Sequence, residues 1–439
     1  MIARVAASGV PVGTMAVLML SVFTVSMGFG IVLPVLPFLL ERLLGAGGDA
    51  MQVSRATGLL TGLYMLSLFL FAPAWGRLSD RHGQRAILLF GLIGFGATSI
   101  AFALFESLTA IYAERFLSGL FAAAVTPVAL AAIGELATTE AARARRLTFV
   151  SLAGTSGFLL GPMMGVFIAR SAAVLFPAIS NVGSLVVPLA GTAALALLAA
   201  VGAMLTVPGK EVGAASPEQG RQPVLQSEKW LVPRLLALAF IVSAGVGVFE
   251  VGLALRGKQE LGLTPYQIAT MFTECSLVML IVQAIVFSPW VQPVTTRWLI
   301  APAFAILAAG LFLVPRASDF KLTLAVIGTV AASAGILSPI LTYWISSKAG
   351  KAQGARLGQQ TAAASLGAAV GSAAGGLLFE VAWLPNASFV LITGLTVIGL
   401  LISFALPRML MGRRYDEPGF RPQMRPEGAR IHHPRRNLS

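Results

Sequence analysis

The chain has one cysteine, Cys275, among 439 residues. An intramolecular disulfide is therefore impossible, and no thiolate pair exists to hold a metal. Histidine is nearly as scarce: His82 sits in a charged segment, and His432 and His433 lie near the C-terminus. The sequence carries no phosphate-binding Gly-rich loop, no His-Glu-x-x-His pair and no credible Ser/His/Asp set. ATP hydrolysis, enzymatic activity, a metal and a cofactor are accordingly not expected. Charge is thin as well, at 11% of residues.

Apolar residues fill the space. They make up 56% of the chain, and the mean hydropathy is +0.84. Repeated apolar runs of about 20 residues are each long enough to cross a hydrocarbon core, which points to a polytopic helical membrane protein. The 46 glycines and 24 prolines do not signal disorder in that setting. Small residues let spans pack closely, and neighbouring spans re-satisfy broken backbone bonds.

A net charge of +13 would suit nucleic acid if it were clustered, but it alternates. Basic residues gather at Arg77, Arg81 and Arg85, at Arg143 to Arg146, from Lys210 to Arg234, at Arg297, from Lys348 to Arg356, and from Arg408 onward. The intervening loops hold only Arg42, Arg55, Arg170, Arg256, Lys258, Arg316 and Lys321. By the positive-inside bias the first set and both termini are cytoplasmic, which requires an even number of spans. No nucleic-acid partner is expected; the basic tail suits anionic lipid headgroups or disorder. The start carries a single positive charge and no small-x-small cleavage site, so its apolar run reads as a first span and not as a cleaved signal.

Twelve spans are expected, at 14–40, 56–76, 86–105, 109–136, 147–170, 183–207, 232–256, 265–289, 298–315, 321–347, 357–381 and 387–408. The polar segment 208–231 reads as a cytoplasmic linker between an N-terminal six-helix half, 1–207, and a C-terminal half, 232–411. Residues 412–439 have no apolar periodicity and read as a disordered basic tail. The halves echo each other. Gly157, Gly161 and Gly165 recur as Gly367, Gly371 and Gly375, each triplet in the fifth span of its half, after a basic loop and a proline-containing span (Pro127 or Pro339).

The segment 76–85 reads as a tight charged loop between two apolar runs. Gly76 and Gly83 would permit close approach or an unusual backbone angle. Asp80 would face a helix N-terminus, and Arg77, Arg81 and Arg85 would meet carboxylates or lipid phosphates. Its spacing resembles the Gly-x-Leu-x-Asp-Arg-x-Gly-x-Arg signature of the major facilitator superfamily. The resemblance implies an all-helical fold of two six-helix halves, with Gly76, Asp80, Arg81, Gly83 and Arg85 latching the cytoplasmic side when the cavity opens outward. The Gly157, Gly161, Pro162 and Gly165 pattern is similar to the signature of the antiporter branches, with Val166 in place of its final glycine. Arg115 and Gly119 partly match an Arg-containing signature, with Ser118 and Phe121 as departures. Pro34 and Pro37 bend the first span as in drug:proton antiporters.

Two of the acidic residues within spans stand out: Glu274 near the middle of the eighth and Glu250 nearer the outer end of the seventh. A low-dielectric site disfavours the ionised form of a carboxylate, as proton exchange near neutral pH requires. Glu274 is therefore the principal candidate proton carrier and Glu250 the second, with Arg115 biasing their charge. Glu41 and Glu380, at helix ends, read as solvated. Together these features suggest a monomeric, multi-pass cell-membrane protein (inner membrane in a Gram-negative source) that exports amphipathic or hydrophobic small molecules against protons by alternating access. A metabolite importer or facilitator is the alternative within transport; a non-transporting receptor or scaffold has little reason to keep buried carboxylates.

The alternating charge generates a direct test. With Cys275→Ala as background, single cysteines placed in 208–231 and in the tail should react with membrane-impermeant reagent only after the cytoplasmic face is opened. Labelling of the tail from the outside of sealed cells would overturn the topology.

Overall fold

The computed structural model describes residues 11–45, 49–136, 140–175, 186–209, 228–286, 293–347, 353–381, 384 and 386–410. Among them there is helix and no strand. The first half contains α1 (Val12–Val32), α2 (Leu36–Leu44), α3 (Ala50–His82), α4 (Gln84–Leu104), α5 (Leu108–Ala122), α6 (Thr126–Leu136), α7 (Glu140–Leu175) and α8 (Val186–Thr206). The second contains α9 (Glu228–Gln259), α10 (Pro265–Val286), α11 (Ile300–Leu313), α12 (Phe320–Ser347), α13 (Gln353–Leu377), α14 (Ala387–Phe404) and the short α15 (Leu406–Leu410). Among the described residues, eleven stretches are long and apolar enough to cross a membrane. A twelfth is supplied by α13, 25 residues long but diluted by Gly, Ser and Gln.

Proline sets the breaks. The first expected span divides into α1 and α2 at Leu33, Pro34 and Val35, where Val35 N–H reaches only to Val32 O at 3.1 Å. Pro37 then occupies the first turn of α2, where its missing N–H costs nothing. The fourth span breaks in the same way ahead of Pro127, with Ala124 N–H bonded to Phe121 O at 3.1 Å and Val125 N–H to Ala122 O at 3.0 Å. Pro73, Pro162, Pro233 and Pro339 instead lie inside continuous helices, which neighbouring spans tolerate.

The expected loop at 76–85 is not a loop. α3 continues through it to His82 and α4 starts at Gln84, leaving Gly83 as the hinge at φ 88°. Nothing between Arg77 and His82 opposes helix, so the chain stays helical until a residue that tolerates positive φ. Gly76 is correspondingly not a point of close approach, since a Cβ there would meet nothing within 4 Å.

Thr14 Oγ1 donates to Thr206 O at 2.8 Å, placing the start of α1 beside the end of α8 on one face, called here the termini face. Two core clusters fill the N-terminal helices, while a third fills the C-terminal helices and takes in Leu33 from the other half. The closest helix pairs are built on glycine. A Cβ at Gly157 would collide with the Phe23 carbonyl, with its carbon 3.0 Å away, and a Cβ at Gly367 would meet the Phe240 carbonyl at the same 3.0 Å. One turn on, a Cβ at Gly161 would lie 2.7 Å from Met27 O, and one at Gly371 would strike Ala244 O. Gly165 and Gly375 continue the series against Ile31 and Val248. α7 thus sits on α1 as α13 sits on α9, residue for residue. The halves meet through the other side of α13, where a Cβ at Gly58 of α3 would lie 2.6 Å from Gly376 Cα.

Because even a methyl group does not fit at these sites, Gly161→Leu and Gly371→Leu should each reduce turnover by about tenfold or more, with packing costs of about 1–3 kcal/mol. Turnover per inserted molecule, with abundance matched by immunoblot, is the measurement. Wild-type rates in both variants would reduce the two glycine series to composition.

Candidate functional site

In the N-terminal half the site starts from another close approach. A Cβ on Gly119 would lie 2.8 Å from Ser67 Cβ, so α5 rests directly on α3. Ser67 Oγ fastens the pair by donating to Phe116 O at 2.7 Å. One turn earlier on α5, Arg115 lies with its guanidinium 5.7 Å from the Tyr64 ring centre and 4.3 Å from that of Phe102. Its Nε and Nη2 donate to the two carboxylate oxygens of Glu114 at 2.7 and 3.0 Å. Both residues are buried, and Ser118 adds a hydrogen bond to the same carboxylate. A forked, two-bond pairing of this kind makes the buried charges tolerable.

Glu114 is not among the site residues expected from sequence. Neighbouring residues on a helix do not normally face each other, so spacing gave no reason to pair them. The acid was visible as a second charge in an apolar span. Arg115, expected to bias the charge of Glu250 and Glu274, pairs instead with Glu114 on its own helix. The departure Phe121 is accommodated by Gly94, whose missing side chain leaves room for the Phe121 ring.

A cleft beside this pair is lined by Phe29, Val32, Leu33, Leu36, Thr61, Tyr64 and Arg115. Phe29 stacks on Tyr64 at 5.1 Å and on Phe158 at 5.9 Å, joining α1, α3 and α7 in one aromatic wall. That wall combines residues from three helices and has no linear motif.

In the C-terminal half, Glu250 lies nine residues before the end of α9 and Glu274 nine residues after the start of α10. The helices run in opposite directions, so both acids stand about 14 Å from the face opposite the termini, at 1.5 Å per residue. Glu250 is therefore not the more peripheral of the two, and Glu274 is not a lone acid: both are within electrostatic reach of Cys275. Glu274 Oε1 points at Gly328 of α12, 3.8 Å from where a Cβ would be, and its Oε2 is buried with no hydrogen-bond partner. Among the described residues neither acid has an ion-pair partner.

The 76–85 residues lie apart from this centre, on the termini face. Ser79 Oγ donates to Gly76 O at 2.8 Å and Trp75 Nε1 to Leu120 O at 2.9 Å. Arg81 is exposed and engaged in a contact, and Arg85 lies beside Gly209. The side chains of Asp80, Arg143, Arg145 and Arg356 are outside the described residues, as are Lys348, Lys351, residues 210–227 and residues 412–439.

The model of the Major Facilitator Superfamily matches residues 18–357. The chain belongs to that superfamily. Among relatives, Multidrug resistance protein 1 of Bacillus subtilis is 27% identical over 405 residues, covering 89% of this chain and 96% of its own. The Quinolone resistance protein NorA of Staphylococcus aureus is 26% identical over 369 residues, covering 83% and 89%. The fold matches a human organic anion transporter at TM-score 0.68 and 18% identity, covering 90% of this chain and 100% of that one. It also matches a D-xylose–proton symporter at TM-score 0.69 and 15% identity, covering 90% and 97%. The expected twelve-span, all-helical major facilitator architecture is the one observed.

Within this superfamily member, the Glu114–Arg115 pair makes a stability prediction. Glu114→Gln strands a buried guanidinium and should cost about 3–5 kcal/mol, whereas Glu114→Gln combined with Arg115→Met should cost much less. Thermal unfolding of the purified protein in one detergent measures both; equal losses would show that the pairing is not what holds the charges.

Proposed function

We propose that the chain is a proton-coupled exporter of amphipathic or hydrophobic small molecules, working by alternating access between its two six-helix halves. The carrying observation is the pair Glu250 and Glu274, at one depth in the bilayer, with no cation paired to either among the described residues and an aromatic cleft in the opposite half. Such a carboxylate is neutralised either by a proton or by a positively charged part of a substrate, and that competition couples the two fluxes. Arg115, already matched by Glu114, leaves both acids free to exchange protons. The aromatic and aliphatic wall of Phe29, Tyr64 and Phe158 offers binding surface with little directional demand, which suits chemically varied substrates. The names of the bacterial relatives, multidrug and quinolone resistance proteins, support the same reading.

In this proposal the termini face is cytoplasmic, the 208–231 segment links the halves and the basic tail lies near anionic lipid. A single copy contains the whole pathway, so a monomer suffices. The 76–85 segment retains its role as the cytoplasmic latch, carried now by a helix end and one glycine hinge. The D-xylose–proton symporter shares the fold, so direction must be read from flux and not from architecture.

Proteoliposomes with an imposed pH gradient test the coupling. Because the two acids share one depth, Glu274→Gln and Glu250→Gln should each lower gradient-driven accumulation by about tenfold or more, and neither should be much milder than the other. Substrate exchange without a gradient should survive. Accumulation at the wild-type rate in both variants would place proton coupling elsewhere.

A further inference from the structure

The segment Arg256 to Glu260 ends α9 at the face opposite the termini and does two different things with its polar side chains. Arg256 turns back into its own half, donating to Ala317 O at 2.6 Å and lying 3.3 Å from Glu260. Behind it, Gly257 packs against Ile268, and its carbonyl accepts from Leu263 N–H at 2.7 Å. The end of α9 is thus pinned. From that base the next two side chains cross to the other half. Lys258 Nζ lies 2.8 Å from Glu41 Oε2, donates to Pro37 O at 3.1 Å and stands 5.3 Å from the Phe38 ring centre. Gln259 Nε2 donates to Ala50 O and to Ser54 Oγ, both at 3.2 Å. Glu41, expected to be merely solvated, is half of an ion pair between the halves.

We infer that Lys258 and Glu41, supported by Gln259 and Ser54, form a clamp that holds the face opposite the termini shut, and that this clamp must part whenever the central site opens to that side. The break between α1 and α2 is what aims it. By re-starting the helix at Leu36, the proline pair swings α2 to where Pro37, Phe38 and Glu41 all meet one ammonium group. Its strength suits a gate. The Lys258 side chain is 10% exposed but that of Glu41 is 64% exposed, so water competes for one partner, and the pair should bias the closed state only roughly two- to fivefold. The inference rests on the transport reading only in requiring access from both faces; it is independent of substrate, direction and coupling ion.

The test uses the full chain in liposomes on the Cys275→Ala background, with spin labels at Gln52→Cys on α3 and Tyr266→Cys on α10. Electron–electron double resonance reads the distance between the halves at this face. Lys258→Glu and Glu41→Lys should each raise the long-distance fraction roughly two- to fivefold, Lys258→Met should shift it the same way, and the double exchange should return it toward the parent. Unchanged distances in the single variants, or a double exchange as open as the singles, would overturn the clamp. Flux measured on the same samples separates the two readings: distances that respond in a protein that moves nothing leave the clamp standing and remove the transport proposal.

Discussion

Close contact between glycine faces and helix backbones is the constraint on which the rest of this structure depends. In a bilayer there is no hydrophobic drive to push one apolar helix against another, so helices associate through the closeness of their packing. Here that closeness is reached by removing side chains along one face. Gly157, Gly161 and Gly165 let α7 lie on α1, and Gly367, Gly371 and Gly375 let α13 lie on α9 in the same register. Because α13 also presents Gly376 to Gly58 of α3, it belongs to its own half on one side and to the seam between halves on the other. Small residues at the seam leave few interlocked side chains to separate when the halves move.

The same packing decides how buried charge is managed, and the two halves manage it differently. Gly119 brings α5 onto α3 and so puts Arg115 among Tyr64 and Phe102, where its cost is met by a two-bond contact with Glu114. The unit carries no net charge and is suited to a fixed structural element of the wall. Glu250 and Glu274 have no such partner among the described residues. Leaving a carboxylate unmatched in a low-dielectric region is expensive as an ion and cheap as an acid. Under the proposed function that expense is tolerable, because the site would work by changing protonation state.

The prolines of the first span link the centre of the molecule to its edge. Breaking the helix at Leu33 places Leu33 in the hydrophobic core of the other half and lines the cleft with Leu33 and Leu36. The re-started helix then carries Glu41 and Pro37 to Lys258. One local backbone event therefore contributes to the cleft lining, to the seam between halves and to the Lys258–Glu41 ion pair.

Sequence alone determined what depends on composition and short-range order. Apolar runs of membrane length, alternating basic loops, the twin glycine triplets and the 76–85 signature were enough to specify a twelve-span major facilitator, because each is a property of residues close together in the chain. It also singled out Arg115, Glu250 and Glu274, because a charge inside an apolar run is conspicuous without any structure. Tertiary structure decided which groups meet. Pairing of Glu114 with Arg115 contradicts the usual geometry of adjacent helix residues. The shared depth of Glu250 and Glu274 follows from two helices running in opposite directions. The aromatic wall and the Lys258–Glu41 contact join residues far apart in the chain, and no local pattern encodes a distance that only the packing of helices creates.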